Sequence, residues 1–250
     1  YTVKGNREQY LIEYDENKYT WENIQFRNTI FISVIRIASN IPFILFLALV
    51  INSMKQKKVK TIFQSLSLIP YFLSWVAVGG LFYSLLNSES GLINRLLGIT
   101  TDWYHVSEPW WMILSLSSLW KGMGWSAIIY LAALAGVDPA LHEAATIDGA
   151  SRFKRIFSVD LPAIMPTISM LLILSIGNLM SCGYEKVLLM QTDGNVQTSQ
   201  IISSFVYEMG LISGDYGLST ASGLFNSVIN IVLLVTANFL ARKFSEYSMW

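Results

Sequence analysis

Charge is scarce in this 250-residue sequence. Asp, Glu, Lys and Arg make up 14% of it, against about a quarter in an average globular domain, and 53% of the residues are hydrophobic. The 17 acidic and 17 basic residues cancel, so no excess positive charge points to a polyanionic partner such as nucleic acid. The low charge, together with a mean hydropathy of +0.45, predicts an integral membrane protein.

Residues for covalent, metal or acid–base chemistry are almost missing as well. The one cysteine, Cys182, lies in an apolar stretch, so it cannot form an intrachain disulfide and is expected to be a small buried residue. The two histidines, His105 and His142, lie in predicted loops, with no cysteine–histidine metal spacing and no catalytic constellation beside them. We therefore predict no catalytic residue, no metal site and no enzymatic activity in this chain.

Long apolar stretches are what the sequence has in abundance. A helix needs about 20 mostly apolar residues to cross a bilayer, and helices satisfy their own backbone groups where lipid cannot. Five stretches meet this requirement: residues 28–52, 62–86, 110–135, 163–190 and 218–241. The predicted fold is an all-α integral membrane protein with several spans.

Basic residues in the loops between these stretches determine the predicted orientation, because cytoplasmic loops carry an excess of Lys and Arg. Nine basic residues fall on one side: Lys55, Lys57, Lys58, Lys60, Arg152, Lys154, Arg155, Arg242 and Lys243. The opposite loops hold only Arg95 within residues 88–109 and no Lys or Arg within residues 191–216. The first, third and fifth spans are therefore predicted to run from outside to inside.

This orientation leaves the N-terminus outside the cell. Residues 1–27 are polar, have no signal-peptide pattern, and are predicted to be an extracytoplasmic segment ahead of a transmembrane domain over residues 28–250. Because the sequence opens without a methionine, we expect a further spanning helix to precede it. The outer loops are predicted to hold short interfacial helices at 91–97 and 201–212, and an aromatic belt. The belt residues are Trp103, Tyr104, Trp110 and Trp111.

The loop after the third span, residues 138–162, is called the inner loop below, and it carries dense helix signals. Asp138 is a good N-cap and Pro139 a good first helical residue, so a short helix is predicted to run to Asp148. Gly149 suits the left-handed position that ends a helix. The inner loop is therefore predicted to protrude as a folded element.

The rest of the inner loop is predicted to form a second short helix. Ser151 can cap a helix over residues 152–159, and Leu161-Pro162 would close it. Small side chains would let another surface approach this helix–turn–helix closely, with one carboxylate and several apolar side chains beside them. The candidate docking residues are Glu143, Ala144, Ala145, Asp148, Gly149, Ala150, Phe153, Leu161 and Pro162. On residue chemistry alone, an ordinary interfacial loop is an equally good interpretation.

The inner loop also carries a spaced motif, E-A-A-x-x-x-G-A followed by I/V-x-L-P. Its residues are Glu143, Ala144, Ala145, Gly149, Ala150, Val159, Leu161 and Pro162. This motif resembles the EAA loop of type I binding-protein-dependent ABC importer permeases, and residues 147–152 resemble the carbohydrate-uptake branch. The similarity extends over nearly the whole chain from residue 28 onward, including 119–125 before the inner loop and 207–250 after it.

The resemblance implies a division of labour between subunits in a bacterial cell membrane. In that family the loop is a coupling helix seated in a groove of a cytoplasmic ATPase, so Glu143 is expected to meet a basic or hydrogen-bonding group there. The expected partners are a second permease, identical or paralogous, two ATPase subunits, an extracytoplasmic solute-binding protein and membrane lipids, and no nucleic acid. This chain lacks a G-x-x-x-x-G-K-[ST] motif, so ATP and Mg²⁺ are expected on the ATPase and no cofactor on this chain. The expected cargo is a sugar or oligosaccharide.

Ionisable residues inside the spans are further candidates, because each costs free energy in lipid. Arg36 lies about 12 Å into the first span at about 1.5 Å per residue, and Lys121 lies at a similar depth in the third. Either could line a polar pathway, but a structural contact with a backbone carbonyl or a neighbouring subunit is favoured. Glu185 and Lys186, near the outer end of the fourth span, could also line such a pathway, but solvation at the interface is the favoured interpretation for them.

A sugar pathway needs aromatic faces that stack on the rings, and amides or hydroxyls that bond the sugar hydroxyls. The candidate lining residues are Trp75, Tyr83, Trp125, Asn178, Tyr184 and Asn226. For each of them alone, helix packing is the favoured interpretation.

Three other functions stay open at this point. An ion-coupled secondary transporter would have inverted repeats and mid-membrane carboxylates, and the sequence has neither. An integral-membrane enzyme would need a catalytic constellation, which is missing. An ABC importer permease for a solute other than a sugar fits the same motif.

Overall fold

A computed structural model describes residues 21–244 of the chain. Within that range the chain forms helices joined by short turns and loops, with no β-strand. Most of the predicted extracytoplasmic segment, residues 1–20, and the tail from residue 245 lie outside the described residues.

Twelve helical segments follow one another along the described residues. They are α1 (Trp21–Ser53), α2 (Lys57–Phe72), α3 (Trp75–Leu86), α4 (Leu92–Leu97), α5 (Trp110–Ala135), α6 (Pro139–Ile147), α7 (Arg152–Ala163), α8 (Met165–Gly177), α9 (Tyr184–Met190), α10 (Val196–Ser199), α11 (Ile202–Ile212) and α12 (Tyr216–Phe244). The predicted first, third and fifth spans are single helices, namely α1, α5 and α12. The short outer helices α4 and α11 also lie where the sequence predicts them.

The predicted second span is wrong as a single helix. Helices α2 and α3 together cover it but meet at an angle of 97°. Pro70 lies in the last turn of α2, and Leu73 and Ser74 then adopt extended backbone. The Ser74 hydroxyl accepts a hydrogen bond from the Ala77 amide and so starts a new helix. Hydropathy measures the length of an apolar stretch, but it does not detect this bend.

The predicted fourth span is also divided. Helix α8 ends at Gly177, and residues 178–183 form a turn before α9 begins. Gly183 has a φ of 74°, in the left-handed region that glycine adopts most readily. Helix α9 then packs against α3. The residues of this turn are small or apolar enough that the mean hydropathy of the stretch stays high, so hydropathy does not reveal the turn.

Helices α1 and α5 form the centre of the molecule and run in the same direction. Near their starts, the Trp111 indole donates a hydrogen bond of 3.1 Å to the Asn28 side-chain oxygen. Near their ends, Ile51 and Leu134 belong to one buried cluster. A common direction is what the predicted orientation requires of the first and third spans.

Helix α2 crosses α5 at very short range. A Cβ at Gly124 would collide with the backbone carbonyl of Ser67, so the crossing requires glycine at this position. Gly122, two residues earlier on the same helix, faces open space. The backbone contact therefore depends on one glycine of the pair.

The predicted aromatic belt is wrong for two of its members. Trp110 and Tyr104 are buried in a cluster that also holds Ile32 and Leu114. The Trp110 indole donates to the Trp103 carbonyl at 2.8 Å, which satisfies its polar atom inside the protein. These rings therefore join the outer loop to the core and do not face the lipid headgroups.

Candidate functional site

The first helix of the inner loop is built as the sequence predicts. A side-chain oxygen of Asp138 accepts a hydrogen bond from the Ala140 amide at 2.9 Å, and Pro139 occupies the first turn of α6. Gly149 has a φ of 71°, which confirms the left-handed position after the helix. Because both ends are fixed by residues within the segment, α6 is a short helix with its own caps.

The second helix begins at the predicted cap but does not end where expected. The Ser151 hydroxyl accepts from the Lys154 amide at 3.3 Å. The chain then stays helical past Leu161-Pro162 to Ala163, with a π-helical stretch over Ile156–Asp160, and bends by 61° into α8. Pro162 sits where the hydrogen bonds change from five-residue to four-residue spacing, so its missing N–H interrupts no continuous ladder.

The candidate docking residues lie on the surface of this helix pair. Glu143, Asp148 and Gly149 are exposed, and the Phe153 ring is 71% exposed and lies 5.1 Å from the ring of Phe157. The remaining candidates are exposed or half-buried: Ala144, Ala145, Ala150, Leu161 and Pro162. Their small size leaves the backbone open to a partner. The docking role itself stays a prediction.

Sequence reasoning missed one apolar residue of this surface. Ile147 is 86% exposed at the end of α6, beside the turn that contains Gly149. Phe153 and Phe157 of the same inner loop are also exposed, and several exposed apolar side chains on one short element are typical of a contact surface. The alternation of charges and small residues around it gave no separate signal in the sequence.

Sequence reasoning also missed a link between the two helices of the inner loop. The His142 Nε2 atom lies 3.4 Å from a carboxylate oxygen of Asp160, whose residue is 6% exposed. Arg155 donates a hydrogen bond of 2.8 Å to the Thr146 hydroxyl. Burial raises the pKa of Asp160, and the positive charges of His142 and Arg155 oppose that rise. The two contacts hold α6 against α7, so the pair can move as one body.

A cavity of about 450 Å³ lies between α1, α3, α5 and α9. Its walls combine two cations, one carboxylate, two aromatic rings, an amide and hydroxyls. The lining residues are Arg36, Asn40, Trp75, Ser118, Ser181, Cys182, Gly183, Tyr184, Glu185 and Lys186. A second cavity of about 280 Å³ shares Arg36 and Asn40 with it and reaches Asn178. The structure thus brings Trp75, Tyr184, Asn178 and Arg36 together, as a polar pathway requires.

The other predicted lining residues border neither cavity. The Tyr83 ring packs 5.5 Å from Tyr104, and the Trp125 ring stacks 4.8 Å from Tyr71. Asn226 lies on α12, away from both cavities. For Tyr83 and Trp125 the packing interpretation agrees with these ring contacts better than the pathway interpretation does.

The two charges predicted inside the spans have different surroundings. The Lys121 ammonium donates to the Tyr71 carbonyl at 2.6 Å and lies over the rings of Tyr71 and Trp75, at 5.3 and 5.5 Å. That is the structural contact favoured from the sequence. Arg36 also bonds backbone carbonyls, of Ser181 at 3.1 Å and Asn178 at 3.3 Å, but its guanidinium lines both cavities.

The interpretation of Lys186 as a solvated interfacial residue is wrong. The residue is 2% exposed, and its ammonium donates to the Ser118 hydroxyl at 2.6 Å and the Leu114 carbonyl at 3.5 Å. The bend before α9 turns the start of this helix into the protein, which the sequence did not reveal. Glu185 is exposed, in agreement with its predicted solvation.

Cys182 is buried, as expected, and free. Its sulfur lies 2.8 Å from the Ser33 hydroxyl oxygen. Within residues 21–244, no group of three or more His, Cys, Asp or Glu side chains could hold a metal ion.

Comparison with known proteins agrees with this arrangement. A family model described as "Binding-protein-dependent transport system inner membrane component" matches residues 28–246. Protein LplB of Bacillus subtilis (strain 168) is 37% identical over 228 residues, which are 90% of this chain and 72% of that protein. The polygalacturonan/rhamnogalacturonan transport system permease protein YteP of the same organism is 38% identical over 228 residues, covering 90% of this chain and 71% of its own length.

Two solved structures have the same fold. A bacterial ABC transporter involved in the import of the acidic polysaccharide alginate superposes with a TM-score of 0.84 at 32% identity, over 89% of this chain and 79% of that one. The bacterial alginate ABC transporter in complex with alginate pentasaccharide-bound periplasmic protein gives a TM-score of 0.86 at 29% identity, over 98% and 85%. The predicted all-α permease fold is confirmed.

Proposed function

Because this chain belongs to the family of binding-protein-dependent transport system inner membrane components, we propose that its inner loop is the element through which an ATPase drives transport. The chain is a multi-pass permease subunit of a bacterial ABC importer for oligosaccharides, and is not an enzyme. It works with a second permease, ATPase subunits and an extracytoplasmic binding protein. An ion-coupled transporter and a membrane enzyme are thereby disfavoured.

One observation carries the proposed role of the inner loop. Helices α6 and α7 are capped, exposed and held together by His142 and Asp160, and they lie directly between α5 and α8. A force on this pair therefore passes into two spans without being absorbed by a flexible linker. Closure of the ATPase dimer on ATP would draw the inner loops of the two permeases together. The tilt of α5 and α8 would then switch the pathway from facing inward to facing outward.

The pathway that this movement would open or close is the pair of cavities that meet at Arg36 and Asn40. Trp75 and Tyr184 supply the ring faces, while Asn40 and Ser118 supply polar partners for hydroxyl groups. Relatives named for polygalacturonan, rhamnogalacturonan and alginate support a saccharide as the cargo. The molecule carried is proposed to be an oligosaccharide delivered by the binding protein.

Crosslinking of the assembled importer tests the proposed role of the inner loop. In a Cys182→Ala background, Ile147→Cys and Leu96→Cys create single thiols at residues that are 86% and 76% exposed. A maleimide–benzophenone reagent on Ile147→Cys should capture the ATPase subunit on illumination. The matched Leu96→Cys variant, in outer helix α4, should not capture it. Capture from Leu96→Cys, or labelling of Ile147→Cys by an impermeant reagent added outside the cell, would contradict the proposal.

A further inference from the structure

Two cations line the larger cavity without a carboxylate paired to them. Neither Arg36 nor Lys186 forms an ion pair with an Asp or Glu among residues 21–244. Glu185 borders the same cavity, but it is exposed and pairs with neither cation. The contacts of the two cations are with neutral oxygens, of Asn178 and Ser181 for Arg36 and of Ser118 and Leu114 for Lys186.

Unpaired positive charge at this depth is costly. Charges away from water are ordinarily paired, because hydrogen bonds to neutral oxygens do not replace the lost hydration of an ion completely. Lys186 is 2% exposed, and Arg36 lies within the long apolar helix α1. An anion that entered the cavity would remove most of this cost, whereas a neutral sugar would leave it in place.

The Arg36 guanidinium has donors left for such an anion. It carries five N–H groups, and two of its nitrogens each donate one bond to a backbone carbonyl. Its planar fork matches the two oxygens of a carboxylate, and the Lys186 ammonium adds a point charge from another wall of the same cavity. The carbonyl contacts fix the position of the guanidinium before any ligand arrives.

Resting on the proposed function, we propose that the saccharide carried is acidic and that its carboxylate binds between Arg36 and Lys186. Trp75 lines the same cavity and offers a face for stacking on the sugar ring, while Asn40 and Ser181 can bond its hydroxyls. A cavity of about 450 Å³ is within the range of about 300–1,000 Å³ that ligand sites occupy. The ligand class is thus an oligosaccharide of uronic acids.

Uptake by the complete importer in liposomes, with its binding protein, tests this assignment. The probes are pentasaccharides of galacturonate and of mannuronate, each as the free acid and as the uncharged methyl ester, and a neutral maltopentaose. Arg36→Gln and Lys186→Gln should each lower uptake of the acid by about tenfold or more while leaving any ester uptake close to wild type. Arg36→Lys should fall between wild type and Arg36→Gln. Comparing acid with ester within each variant cancels changes in the amount of folded importer.

Lys121→Gln is the matched control, because Lys121 is an intramembrane cation that lines neither cavity and meets the site only through the Trp75 ring, which the acid and the ester would share. It should not change the ratio of acid to ester uptake. An equal loss for acid and ester in Arg36→Gln and Lys186→Gln would overturn the inference and make both residues structural. Uptake of maltopentaose with no uptake of either acid would overturn it as well, while leaving the proposed function intact. Uptake of no saccharide, with ATP hydrolysis unresponsive to the binding protein, would overturn the proposed function itself.

Discussion

The inner loop is capped by contacts between residues that are close in the sequence, whereas the larger cavity is held by contacts between residues that are far apart in it. In the inner loop, the caps are local, from Asp138 to the amide two residues on and from Ser151 to the amide three residues on. In the cavity, Arg36 bonds carbonyls more than 140 residues away, and Lys186 bonds Ser118, 68 residues away. A local element can keep its shape while it moves, whereas a site assembled from distant segments changes when they shift. The first property suits a transmitter of force, and the second suits a site that must release its ligand.

A large side chain at Gly149, in the turn of the inner loop, should have the largest effect on transport. Gly149→Leu forces a left-handed residue to carry a side chain, at about 1–2 kcal/mol, and adds volume to the proposed contact with the ATPase. We expect ATP hydrolysis stimulated by the binding protein to fall at least about thirtyfold, because interface overpacking adds about 1–3 kcal/mol. The permease should still assemble in the membrane, because a Cβ at Gly149 meets no atom within 4 Å.

Gly98→Leu is the control for that experiment. Gly98 has a φ of 65° and also faces open space, but it follows the outer helix α4. The local strain is therefore the same, while no ATPase contact is expected there. Equal loss of stimulated hydrolysis in the two variants would mean that strain alone is responsible, and would remove the support for a docking role.

The next effect concerns packing between spans. Gly124→Leu would drive a side chain into the Ser67 backbone, while Gly122→Leu, on the same helix, has space around it. We expect Gly124→Leu to lower the free energy of unfolding by about 1–3 kcal/mol more than Gly122→Leu, because the backbone cannot move aside as a side chain can. Thermal unfolding of the two variants in detergent measures the difference. Similar midpoints would contradict the close crossing of α2 and α5.

A smaller effect is expected from the charge of the inner loop. Glu143 is exposed and forms no hydrogen bond or ion pair with the described residues, so its carboxylate is available to the ATPase. Glu143→Gln keeps the shape and removes the charge, so a hydrogen bond of about 1.5–3 kcal/mol to a charged group becomes a neutral one of about 0.5–1.5 kcal/mol. The difference of about 1 kcal/mol should weaken ATPase binding by about threefold to tenfold. Glu89→Gln, in an exposed outer loop, should leave that affinity unchanged in a pull-down titration.

The smallest effect is a dependence on pH at the contact between His142 and Asp160 of the inner loop. Burial raises the pKa of Asp160, so the fold favours its neutral form. Its contribution to stability is complete below the unfolded-state pKa of 3.8 and is lost as pH rises through the raised value. The hydrogen exchange rate of the backbone amides of α6 and α7, corrected for the intrinsic rate, should therefore increase by about twofold between about pH 4 and pH 7. In Asp160→Asn this increase should disappear.

Asp102→Asn is the control for the pH experiment. Asp102 also contacts a histidine, His105, at 2.9 Å, but this pair is exposed in an outer loop. The exchange of α6 and α7 in that variant should follow the wild-type pH dependence. If the corrected exchange rate of the wild type did not change with pH, burial of Asp160 would have no effect on the stability of α6 and α7.

The same difference in range explains what the sequence could predict. Asp138, Pro139, Gly149 and Ser151 act on their immediate neighbours, so their roles follow from residue type and spacing. Helices α1 and α12 follow from apolar length alone, whereas α5 is apolar and long enough only together with α6, which is bent from it by 71°. The 97° bend between α2 and α3, and the turn before α9, depend on where the chain packs afterwards, so hydropathy does not detect them.

The cavity was predictable only in its parts. Arg36, Trp75, Asn178 and Tyr184 were selected because their residue types suit a polar or sugar-binding pathway, and they do line the cavities. Nothing in the sequence around Tyr83, Trp125 or Asn226 distinguished them from these four. The burial of Lys186 was not predicted because it results from the turn at 178–183. The His142–Asp160 pair was missed because 18 residues separate its members.

The turn at residues 178–183 separates helix α8 from helix α9, so the two helices can move differently. Helix α8 continues from the inner loop, while α9 lies against α3 and carries Tyr184 and Lys186 into the cavity wall. Because the chain changes direction at Gly183, movement of α8 reaches this turn before it reaches the side chains of Tyr184 and Lys186. The carbonyls that hold Arg36 lie in that turn, so movement of α8 reaches the Arg36 side chain, while Lys186 is held by Ser118 and Leu114 of α5. A carboxylate held between the two cations would then be released through two separate helices, α8 acting on Arg36 and α5 acting on Lys186.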